Sequence, residues 1–222
     1  MPETYLGIDL AGPSRPSGYA VLDDAAALLD LGLAPDDASI VALAERSGAR
    51  IIAIDCPLGL PVGLDCLDPS HPCVPSSPSG IRASELAVRA LGYGLYYTTK
   101  KTIIRAMTER GIALRAELQR RGLRVIEVYP YASKCRLFGK RMPKKTTPDG
   151  VRWLRDRLAP LVAGLDAVPR TLTHDELDAV VAAYTAVLYT LGQATALGDE
   201  AEGAIVVPDL IALTPCSPNR IP

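Results

Sequence analysis

Apolar residues near the start of the chain fall into short runs, each cut off by Gly, Pro or Ser, whereas later they recur at three- and four-residue intervals. The early runs predict strands over residues 5–10, 19–22 and 28–33, with the turn AGPSRPSG between the first two. Over residues 36–48, Ile40, Val41, Leu43 and Ala44 share one helical side and Gly48 marks the stop. RIIAID, residues 50–55, reads as a strand buried on both faces, as in a parallel sheet. Residues 56–80 contain six prolines and predict an irregular loop, of a length that is usually functional or mobile. Helices are then predicted over 83–91 and 102–121, and LRVIEVYP, residues 123–130, predicts another buried strand that stops at Pro130. Two more helices, 148–161 and 174–191, and an extended segment over 204–208 complete the pattern.

Three strands joined by short turns form a meander, and strands separated by helices add in parallel. The expected fold class is therefore α/β: a ribonuclease H-like mixed five-stranded sheet with helices on both faces, in a single domain over residues 1–222 with the Pro-rich loop at 56–80. At 222 residues with nearly half of them apolar, the chain suffices for one sizeable core. The longest apolar stretch, 179–191, is interrupted by Tyr and Thr and is too short to span a bilayer. No signal-peptide pattern opens the chain, so a cytoplasmic location without a membrane partner is expected. Five cysteines (Cys56, Cys66, Cys73, Cys135, Cys216) lack framework spacing, which argues against a disulfide scaffold.

Charge changes the picture more than composition does. Residues 100–157 hold 17 Lys and Arg against 5 Asp and Glu, while the rest of the chain holds 7 against 20. Such a run is either a set of solvated helix faces docked on acidic neighbours or a polyanion-binding surface beside an acidic, metal-seeking centre.

The acidic centre has candidates. Asp9 and Asp55 end two apolar strands, Glu127 lies in a third, and THDELDA places Asp175 and Asp178 on one side of the last helix. A carboxylate at the end of a buried strand is costly to desolvate unless a cation meets it. Converging carboxylates hold hard cations such as Mg²⁺ or Mn²⁺, and two such ions support phosphodiester hydrolysis. Thr173 and Glu176 fit a capping box that also accounts for Asp175, whereas Asp178 lies beyond the cap. Asp9 and Asp55 also fit the simpler role of capping a turn. Cys66, His71 and Cys73 offer zinc-type donors, but without the usual ligand pairs at two-residue spacing. No local signature marks a nucleophilic Cys or Ser.

GIDLAG, AIDCPLGLP, Arg82 with Glu85 and Arg89, RG at 110–111, EVYP, Lys144 with Lys145, DELDA with Gly192, and IVVP occur in one order from Gly7 to Pro208. Together they resemble the DUF429 family, described as predicted nucleases of ribonuclease H-like fold. Ser84 stands where that pattern has a cysteine. The resemblance implies that Asp9, Asp55 and Asp178 bind metal. It also puts Glu127 and Lys145 in family motifs, Lys145 as a phosphate-binding or charge-stabilising group, and the strand carboxylates read above add Glu127 as a further ligand. The catalytic set is then Asp9, Asp55, Glu127, Asp178 and Lys145, with Mg²⁺ or Mn²⁺ as cofactor and with Arg82, Lys144 and Lys145 as contacts to nucleic acid, the expected partner. Two alternatives stand beside a metal-dependent nuclease: a non-catalytic nucleic-acid or protein binder on the same fold, and a relative of the actin-like phosphotransferases. The latter need two such domains around a nucleotide, more than this chain supplies.

Overall fold

The computed structural model describes residues 2–210; Cys216 lies outside them. The expected meander is present: β1 (Thr4–Asp9), β2 (Ser17–Asp23) and β3 (Leu28–Ala34) pair antiparallel in sequence. Helix α1 (Asp37–Ser47) follows, its N-terminus capped by Asp36, which accepts from Ser39 N, and its end set by Gly48 at φ 59°. β4 (Ile51–Asp55) then pairs parallel to β1.

After the irregular Pro-rich segment come α2 (Ala83–Ala90), α3 (Arg105–Arg120) and β5 (Val125–Val128), which is parallel to β4. Three helices and a hairpin follow: α4 (Pro130–Phe138), α5 (Pro148–Leu158), α6 (His174–Thr190), then β6 (Ala194–Leu197) with β7 (Ile205–Pro208). β7 pairs parallel to β5. The result is a mixed seven-stranded sheet of order β3-β2-β1-β4-β5-β7-β6.

Seven strands correct the expected five. The extended segment at 204–208 joins the sheet, and ATAL pairs with it although its four residues carry almost no strand signal. Helix α4 also departs from the sequence pattern, in which Pro130 marks the end of a strand. Proline equally suits the first turn of a helix, where its missing N–H costs nothing, and that is its position here.

Helices cover both faces. On one, α6 packs with α5 over Tyr5, Ala20, Leu22, Ile51 and Ala53. On the other, α1 and α3 cover Leu6, Ile8, Val21, Ile52 and Ile54. Two glycines let α6 lie unusually close. A Cβ on Gly7 would overlap the backbone of Ala179 and Ala183, and one on Gly18 would overlap the backbone of Asp175. No helix among the described residues is long and apolar enough to cross a membrane.

Candidate active site

The β1–β4 register sets Asp9 directly opposite Asp55. Side chains alternate along a strand, so both carboxylates share the face of Gly7 and Ala53, under α6. Gly18 is the β2 partner of Asp9, and its missing side chain brings the first turn of α6 down to the same place. Asp178, one turn into α6 and 1% exposed, joins Asp9 and Asp55 in the wall of a cavity of about 420 Å³ at the carboxyl ends of β1, β4 and β5.

These carboxylates differ in their partners. Lys134 Nζ donates to Asp178 Oδ1 at 2.6 Å, and Lys145 Nζ donates to Oδ2 at 3.0 Å. Among the described residues, none donates a hydrogen bond to the side chain of Asp9 or Asp55. Burial pushes the Asp55 carboxyl up to about 7, with the neighbouring Asp178 adding to the rise. Asp9 is raised well above the usual range by burial first and by Asp55 and Asp178 next. Burial pulls Lys145 down, but Asp178 and the other two aspartates outweigh it, so its ammonium is held protonated.

Glu127 faces the other way. It is registered with Ile54, not Asp55, and a one-residue offset turns a strand side chain to the opposite face. Arg82 grips its carboxylate through Nη1 at 2.8 Å and Nη2 at 2.7 Å, and Leu58 N–H donates to it at 2.7 Å. The same guanidinium donates from Nε to Glu85 at 3.1 Å. Burial raises Glu127 against the downward pull of Arg82. With both oxygens of Glu127 taken and Arg82 only 1% exposed, this pair forms a buried ion cluster lining the cavity. Three protein donors already engage the Glu127 carboxylate and the Arg82 guanidinium is directed onto carboxylates, which argues against the expected roles of Glu127 as a cation ligand and Arg82 as a phosphate contact.

Three residues enter the site that the sequence did not assign to it. Lys134 sits on α4, the unexpected helix, and is buried. His174 and Asp175, at the start of α6, bring ligand atoms within 4.8 Å of one another and of an Asp9 oxygen. The Thr173–Glu176 capping box is formed and fixes that turn. It holds His174 and Asp175 beside Asp9, so capping and proximity to Asp9 coexist.

The basic segment divides. Arg105, Arg110 and Arg121 on and after α3 pair with Glu109, Asp37 and Glu45. Arg141, Lys144 and Lys145, in the connection between α4 and α5, remain on the surface.

No curated protein matches the chain. Among solved structures, T. thermophilus RuvC in complex with a Holliday junction substrate is 14% identical with a TM-score of 0.44, over 86% of this chain and 96% of that one. A second Thermus thermophilus RuvC structure is 12% identical with a TM-score of 0.45, over 85% and 96%. The DUF429 family profile, described as a protein of unknown function, matches residues 7–203, and this chain belongs to that family.

Proposed function

We propose that the protein is a divalent-metal-dependent nuclease that hydrolyses nucleic-acid phosphodiesters on a ribonuclease H-like sheet. The run β3-β2-β1-β4-β5, a meander followed by parallel additions, supports that fold, with β7 and β6 as an extension. The observation that carries the function is the Asp9–Asp55 pair. These are two in-register carboxylates at neighbouring strand ends, unbonded by any described donor and open to a cavity. Asp178, by contrast, already has two ammonium groups.

Hard oxygen donors without protein partners suit Mg²⁺ or Mn²⁺. Asp9 and Asp55 would hold the ion, with Asp178 beside them. Bound there, it would polarise a phosphoryl oxygen and acidify a bound water. Lys134 and Lys145 hold the Asp178 carboxylate between them and offset the mutual repulsion of three acids. Lys145 is half exposed while its Nζ reaches the buried Asp178, a disposition suited to meeting a phosphate that enters from the surface. Arg141 and Lys144 extend that positive edge outward, where backbone phosphates would run.

Asp9→Asn tests the reading. It should abolish cleavage of single-stranded, duplex, hybrid and branched substrates in Mg²⁺ or Mn²⁺ while leaving nucleic-acid binding unchanged or tighter, since one negative charge is gone. Cleavage that survives Asp9→Asn would put the chemistry elsewhere. Cation binding with no turnover on any substrate would favour a binding module.

A further inference from the structure

Between Asp55 and Ala83 the chain forms no helix or strand, yet the segment is tightly folded. Ser76 N–H donates to Val62 O at 2.7 Å, closing a loop over residues 62–76. At that crossing Gly63 has φ 92°, and a Cβ there would meet the Val74 carbonyl at 2.5 Å, so only glycine fits. Within the loop only Leu64 and Leu67 are buried hydrophobics, too little apolar area to order fifteen residues.

The loop carries something else. The sulfurs of Cys66 and Cys73 and a ring nitrogen of His71 all lie within 4.8 Å of one another. In tetrahedral zinc coordination, with Zn–S near 2.3 Å, two sulfurs stand about 3.8 Å apart, so a small contraction closes this group around an ion. Two soft sulfurs and an imidazole select zinc over magnesium or calcium. Cys73 N–H donates to His71 Nδ1 at 3.3 Å, so ligation requires this long contact to open and free the imidazole lone pair for the ion. We propose that Cys66, His71 and Cys73 form a zinc site that staples this loop, with the fourth position open to solvent.

The staple has a structural address. Lys100 Nζ donates to the His71 carbonyl, and Arg105 lies 4.0 Å from Asp68. These contacts join the loop to the start of α3, whose neighbours Ile104 and Met107 line the carboxylate cavity. The zinc group shares no residue with that cavity, and its existence does not depend on the nuclease reading.

The experiment is metal analysis of the full chain purified under a phosphine reductant, followed by Co²⁺ titration. The expected result is about one zinc per chain and, with cobalt, the near-ultraviolet thiolate charge-transfer band together with tetrahedral visible bands. His71→Ala, at an exposed position that leaves folding intact, should weaken zinc binding at least about ten-fold. Cys66→Ser and Cys73→Ser should each reduce the thiolate band, and Asp9→Asn should retain it. Reduced protein that binds no zinc, zinc affinity untouched by His71→Ala, or a Cys66–Cys73 disulfide with no zinc uptake after reduction would overturn the proposal.

Discussion

Asp55 makes the metal-free protein sensitive to pH in an uncommon direction. Its folded carboxyl titrates near 7, raised by burial and by Asp178, whereas the unfolded chain releases that proton near 3.8. Between those values the folded state binds more protons, so stability falls as pH rises through the window. Asp55→Asn removes the dependence and should stabilise the metal-free protein at about pH 8 by roughly 1–3 kcal/mol, with little effect near pH 4. Urea unfolding at the two pH values, with and without Mn²⁺, measures this. A loss of stability at both would mean that Asp55 caps its turn. The aspartates were legible because each ends an apolar strand pattern, where a carboxylate is costly to desolvate. Glu127 followed the same rule and faces away, since strand register depends on partners that the local sequence does not contain. Lys134 was hidden because its helix was.

At the scale of elements, the site depends on how closely α6 approaches β1 and β2. Gly7→Ala would drive a methyl into the backbone of Ala179 and Ala183 and lift the helix that carries Asp178. It should destabilise the protein by about 2–3 kcal/mol or more and weaken Mn²⁺ binding, because Asp9 and Asp178 move apart. Gly12→Ala, whose Cβ meets nothing within 4 Å, is the control. Urea unfolding and calorimetric Mn²⁺ titration of both variants read the difference, and equal behaviour would show that α6 has room to spare. The meander, the parallel β4 and β5 and the long helices were legible from periodicity. β6 and α4 were not: four small residues pair only because β7 offers an edge, and one proline fits both a strand end and a helix start.

Across the whole molecule, the near-neutral net charge conceals a basic segment that splits in two. The α3 arginines are largely spent on neighbouring acids, whereas in the connection from α4 to α5 Arg141 and Lys144 make no ion pair among the described residues and Lys145 reaches Asp178. Binding of nucleic acid should therefore lose affinity steeply with salt, and Lys144→Ala with Lys145→Ala should lower the slope of log K against log salt by up to about 2, similarly for all sequences. Fluorescence anisotropy across a KCl series checks it; an unchanged slope would move the phosphate track to another surface. The long reach between α6 and the strands beneath it also governs how the chain is made. Residues 4–9 and 51–55 leave the ribosome well before residues 174–190, which cover them. Until that helix emerges, the nascent meander exposes an apolar face and is vulnerable to aggregation. Asp9 and Asp55 wait equally long for Asp178, so a truncated or stalled product presents two solvated aspartates and no assembled centre. Assembly of the carboxylate group is thereby timed to near the end of synthesis, and if the group is the proposed metal centre, a half-made chain cannot form it.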